Sequence, residues 1–181
     1  MLRYLLLFLI VASPAYATGY TNPEFSGRVF KKVLVTVPVD DQKFRDEMES
    51  RTLEYMQKYV TTTGVRSVDL FPPFLEVDEA SYVPKLKDSG IEAVVVILPK
   101  DTASSFPPLF KNKSKIFSMR FVDTRWQKDV STSVTVYDAL SGKIAWTGTF
   151  DIDEKGKKII KEISIRTVRV LRDSRLLEEK K

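Results

Sequence analysis

The stretch Gly90-Ile91-Glu92-Ala93-Val94-Val95-Val96-Ile97-Leu98-Pro99 decides how this chain folds. Its apolar run is too short to cross a bilayer, which takes about 20 residues. Its three consecutive valines favour extended backbone over helix, because branching at Cβ restricts χ1 in a helix and packs well on a pleated surface. A strand that is apolar at every position is buried on both faces, which puts it inside a parallel or mixed sheet flanked by helices. Gly90 stands where a preceding helix would end in the left-handed conformation.

Upstream of that strand, Val33-Leu34-Val35-Thr36-Val37 reads as a first core strand that Pro38 helps to end. Asp40 and Asp41 offer N-caps for a helix to about Thr61, with Phe44, Met48, Tyr55 and Tyr59 on one face and Gly64 closing it. Residues 65–71 read as a shorter strand stopped by Pro72-Pro73, and residues 78–89 as a second helix with Pro84 in its first turn. The order β-α-β-α-β with short connections favours right-handed crossovers and a parallel core.

Downstream the pattern changes. Residues 99–114 form a long irregular segment with Phe106-Pro107-Pro108 and alternating Lys111, Lys113 and Lys115. Residues 116–122 alternate, with Phe117, Met119 and Phe121 on one face, as a half-buried strand does; a charged turn with Arg125 and Trp126 follows. Residues 130–138 and 144–152 form the clearest hairpin, joined by Ala139-Leu140-Ser141-Gly142-Lys143. Val130, Thr132, Val134 and Val136 face one way, and Ile144, Trp146 and Phe150 line one side of the partner strand. Residues 154–177 read as an amphipathic helix, with Ile160, Ile163, Thr167, Val170 and Leu171 opposite Lys158, Lys161, Arg169 and Arg172. The expected fold is therefore α/β: a mixed central sheet, β-α-β-α-β and then antiparallel strands and a hairpin, flanked by helices and ending in an amphipathic helix.

At 181 residues with 43% hydrophobic content, the chain is long enough to bury one core without staples. It has no cysteine and no histidine. Zinc sites with those ligands, thiol nucleophiles, the Ser-His-Asp triad and histidine acid/base chemistry are thereby excluded. Carboxylate, lysine, tyrosine or hydroxyl chemistry remains, or a hard metal held by oxygen. The net charge of +5 is spread along the chain, which suits a solvated basic surface better than a nucleic-acid footprint.

Residues 1–17 read as a signal peptide: Met1-Leu2-Arg3, an apolar core from Tyr4 to Ala12, and the small-x-small site Ala15-Tyr16-Ala17, with cleavage before Thr18. No cysteine follows the apolar core, so no lipoprotein precursor is expected. Export without disulfides points to a bacterial periplasm. Residues 18–27 read as an extended arm and residues 28–181 as a single domain. Once the leader is cleaved, contact with a membrane would be peripheral, with no transmembrane helix.

Several features together carry a resemblance: the signal peptide, the strand Val33 to Val37, a helix with a Thr63-Gly64 turn, a helix leading into Gly90-Ile91-Glu92-Ala93-Val94-Val95-Val96, the hairpin Val136-Tyr137-Asp138-Ala139-Leu140-Ser141-Gly142-Lys143-Ile144-Ala145-Trp146, and the final amphipathic helix. The chain resembles a group of bacterial envelope α/β domains that includes the TolB amino-terminal domain, the curli secretion lipoprotein and the penicillin-binding-protein activator lipoprotein. In that group an Asp-Ala-x-x-Gly-Lys-x-x-Trp hairpin and a Gly-x-Asp-Ala-Val-Val strand recur; here Glu92 stands in the Asp position. The resemblance implies a mixed sheet flanked by helices, an envelope location and work done by binding other proteins.

Two candidate sites follow. Ligands of open sheets sit beyond the carboxyl ends of parallel strands, where Asp41, Arg45, Lys100 and Asp101 fall. They could bind a small ligand or glycan, hold a metal or do acid/base work; equally, Asp40 and Asp41 could only cap a helix, with Lys100 and Asp101 solvated. Phe106, Phe110, Lys111 and Lys113, with Arg125 and Trp126, combine aromatic anchors with a basic rim and form a candidate surface for an envelope protein partner. The aromatics could also fold back onto the core. The expectation is a non-enzymatic, protein-binding envelope protein with no cofactor; a small-ligand or glycan binder is second and a carboxylate or hard-metal enzyme third.

Overall fold

A computed structural model describes residues 18–72, 81–100, 131–152 and 158–180. The strands are β1 (Thr18–Thr21), β2 (Lys32–Thr36), β3 (Thr63–Arg66), β4 (Ala93–Pro99), β5 (Thr132–Asp138) and β6 (Ile144–Phe150). The helices are α1 (Gln42–Tyr59), the single-turn α2 (Ser67–Leu70), α3 (Tyr82–Asp88) and α4 (Lys158–Asp173). One six-stranded mixed sheet runs β1-β6-β5-β4-β2-β3. β3, β2 and β4 are parallel, while β5, β6 and β1 continue the sheet antiparallel. This is the α/β architecture read from the sequence.

β4 is buried at all seven positions, with β2 on one side and β5 on the other. α3 delivers the chain to it through the expected glycine. Gly90 has φ +66°, its N–H donates to Lys87 O at 2.9 Å, and the Ile91 N–H reaches Leu86 O at 2.9 Å. That pair of bonds is the Schellman stop, sealed by buried Leu86 and Ile91.

One face of the sheet packs on α1, whose Leu53 and Met56 lie 3.0 Å from where a Cβ on Gly64 would be. α4 lies beside α1, and Thr52 and Ser164 bring the helices close, with a 3.2 Å hydroxyl-to-hydroxyl bond. The crossover from β2 to β3 and the one from β3 back past β2 to β4 run in opposite directions across the sheet, so right-handedness puts α3 on the other face. After α4 the chain turns at Arg175, φ +58°, and the tail is pinned: Phe30 N–H donates to Leu176 O at 2.9 Å and Thr61 N–H to Glu178 O at 2.8 Å.

Several local expectations are corrected. Gly64 does not end α1; the helix stops at the extended Val60, and Gly64 lies within β3, where the strand runs against Leu53 and Met56. The expected strand over residues 65–71 is split, since β3 ends at Arg66 and α2 begins at Ser67. The buried stripe of α1 is Arg45, Met48, Glu49, Thr52 and Met56, while Tyr59 is 36% exposed. Ile144 is 43% exposed, because the irregularity between Val136 and Tyr137 turns it to the outer face. Part of the arm, residues 18–21, is a sheet strand. The expected strand over residues 116–122 lies outside the described residues.

The hairpin turn explains its own sequence. Asp138 Oδ1 accepts from Ser141 N at 2.8 Å and Ser141 Oγ at 2.7 Å, Gly142 has φ +68°, and Arg28 pairs with Asp138 Oδ2 at 2.9 Å. Asp138 and Gly142 thus shape the backbone of the turn.

Candidate functional site

The carboxyl ends of β2, β3 and β4 gather at one end of the sheet, and α1 starts there. Asp41 caps that helix, its Oδ1 accepting from Phe44 N at 2.9 Å. One turn on, the stripe that meets the sheet presents two charged groups inward: Arg45 is 4% exposed and Glu49 fully buried. Glu49 Oε1 accepts from Val37 N at 3.1 Å, just past β2, and from Ser67 Oγ at 2.6 Å, where β3 becomes α2. Its Oε2 takes a longer bond, 3.4 Å, from Val68 N. One carboxyl group therefore ties α1 to the ends of two strands.

Burial pushes the Glu49 carboxyl up to about 7. The Ser67 hydroxyl, the Val37 and Val68 amides and the Arg45 charge act in the opposite sense. Beside it, Arg66 makes a two-pronged contact with Asp69 and donates to Ser50 Oγ at 3.0 Å; the Asp69 carboxylate holds its guanidinium above the ordinary range. A carboxyl group tuned near neutrality beside an arginine has the ingredients of a general acid or base. Here both its oxygens accept from the chain's own donors and the side chain is fully buried, so the arrangement acts as a clamp.

Of the residues read as a crevice site, Asp41 and Arg45 stand one turn apart on α1, and Lys100 follows β4, exposed, with its N–H donating to Ser131 O at 2.7 Å. Asp101, Phe106, Phe110, Lys111, Lys113, Arg125 and Trp126 lie outside the described residues. Among the described residues, no cluster of three or more carboxylates could hold a metal ion.

The sequence reading missed Glu49. The signal was available: positions 45, 48, 49, 52 and 56 trace one helical stripe, and it includes Met48 and Met56. It also missed a groove between the carboxyl-terminal halves of α1 and α4. This cavity of about 140 Å³ is lined by Tyr59, Ile165, Val168, Arg169 and Arg172. Arg172 is held by Asp173 at 2.8 Å, which keeps its guanidinium above the ordinary range. Lys58 Nζ lies 5.2 Å from the Tyr59 ring centre. Cations at the ends of two helices complement their dipoles, which accounts for Lys58 and Arg172 without a ligand.

No protein-family model matches the sequence, and neither does any curated protein. Among solved structures, a PelC dodecamer from Paraburkholderia phytofirmans is similar with TM-score 0.48 at 10% identity, covering 89% of this chain and 98% of that one. A variant of that protein with one leucine replaced by methionine gives TM-score 0.46 at 13% identity, covering 88% of this chain and 96% of that one. Lipoprotein GNA1162 from Neisseria meningitidis gives 0.40 at 14% identity, covering 80% of this chain and 98% of that one. At these scores and identities the likeness carries no argument about function.

Proposed function

We propose that this chain is an exported, periplasmic envelope protein that acts by binding another protein rather than by catalysis. The observation that carries the reading is Glu49. Where an open α/β sheet would hold its ligand, this chain has placed a buried carboxyl group bonded to Val37, Ser67 and Val68. Export rests on the leader at residues 1–17, and the hairpin shared with the envelope domains named above supports the location. Among the described residues, no helix is long and apolar enough to cross a membrane.

The proposed contact surface comprises Phe106, Phe110, Lys111, Lys113, Arg125 and Trp126, aromatic anchors with a cationic rim. Affinity capture from envelope fractions tests it. A protein partner should be retained with chelator present, and Phe106→Ala, Phe110→Ala or Trp126→Ala should each release it. Retention by all three variants would overturn the assigned surface. A small ligand that raises the melting temperature of the parent but not of Asp41→Ala would instead show a crevice binder.

A further inference from the structure

We propose that two copies of this chain join edge to edge through β1, antiparallel about a two-fold axis at Tyr20. The ladder gives the geometry. Among the described residues, β1 ends the strand order and pairs only with β6, in the register Gly19↔Gly148, Tyr20↔Thr147 and Thr21↔Trp146. The Asn22 N–H donates to Ala145 O at 2.9 Å. In an antiparallel pair, alternate residues exchange bonds with the neighbouring strand. Counting back from Asn22, Tyr20 bonds β6, and the N–H and C=O of Gly19 and Thr21 point out of the sheet. Among the described residues, no strand receives them.

Edges of this kind are ordinarily blunted by charge, proline or a cover. β3, the opposite edge, is treated that way: it carries Arg66 and runs straight into α2, and the tail residue Glu179 bridges Val60 just before it. β1 reads Thr18-Gly19-Tyr20-Thr21, with no charged side chain and no proline, and Tyr20 is 63% exposed.

A second copy fits this edge in one register. Centred on Tyr20, Gly19 of each chain lies opposite Thr21 of the other, and both residues offer outward donors and acceptors. Centring on Thr21 would set Gly19 against Pro23, which has no N–H. Centring on Gly19 would set Thr21 against a residue that precedes the strand. The Tyr20 centre is a non-hydrogen-bonded pair, so the two Cα atoms lie about 4.5 Å apart. The two Tyr20 side chains then stand together on the sheet face away from α1 and α4.

That spacing is within disulfide range, and the chain has no cysteine of its own. The protein is purified from cells expressing it with its own leader, and Tyr20→Cys is oxidised at micromolar concentration. Most of it should run as a disulfide-linked dimer, with at least about tenfold less cross-linking for Val29→Cys, which is 42% exposed but off the edge. Thr21→Pro removes an outward N–H while leaving the β6 ladder intact, and should weaken the dimer by at least about tenfold in sedimentation. Monomer mass at about 100 μM, or equal cross-linking at the two cysteines, overturns the proposal. If Thr21→Pro lowers the folded fraction, the comparison of the two cysteine variants decides alone.

Discussion

Replacing Glu49 with Gln isolates the group that ties α1 to the strand ends. The folded-state value, about 7, lies above the ordinary 4.5, so the folded protein binds this proton more tightly than the unfolded chain does. The stability that follows is fully present below pH 4.5 and is lost as pH rises through 7. Converted by linkage, the difference corresponds to about 3 kcal/mol. Glu49→Gln keeps the shape of the protonated acid and does not titrate, so subtracting one urea curve from the other at each pH cancels the rest. The Gln variant should gain on the parent by about 3 kcal/mol between about pH 4.5 and pH 8. The charges facing the group are Arg45 on its own helix and Arg66 on β3. If they and the three hydrogen-bond donors outweighed burial, the gap would stay flat or move the other way, and the account of Glu49 would be refuted.

Other expectations concern packing and caps. Asp41→Ala deletes the bond to Phe44 N and should cost about 1 kcal/mol in chemical denaturation. In Gly19→Ala, the new Cβ would come within 2.5 Å of the Trp146 ring, so a loss of about 1–3 kcal/mol should accompany a change in tryptophan fluorescence. Arg175 has φ +58° at the end of α4, and Arg175→Gly should raise stability by about 0.5–1 kcal/mol, read as a higher urea midpoint.

What the sequence revealed and what it hid both have physical causes. Val94-Val95-Val96 could be read because continuous apolarity has few structural meanings, and Gly90 because a helix end needs a residue that tolerates positive φ. Gly64 was misread as a helix stop, since its actual reason, the close approach of Leu53 and Met56, exists only after α1 has packed. β1 gave no alternation to detect. It is a strand because β6 offers it a ladder and Trp146 fills the space over Gly19. Glu49 lies on a stripe that can be traced in the sequence, but its charge reads as solvent-facing until the donors that satisfy a buried carboxyl group come together from the end of β2 and the start of α2. The candidate site was legible as a place, the carboxyl ends of the parallel strands, but its occupant was not.

The central claim is that the chain does its work through a surface offered to another envelope protein. Site-specific photo-cross-linking from position 110 in living cells tests this most directly. One recurring protein adduct should form in the periplasmic fraction, the same protein that affinity capture retains and Trp126→Ala releases. No adduct there, with the processed chain found in the cytoplasm, would contradict the account.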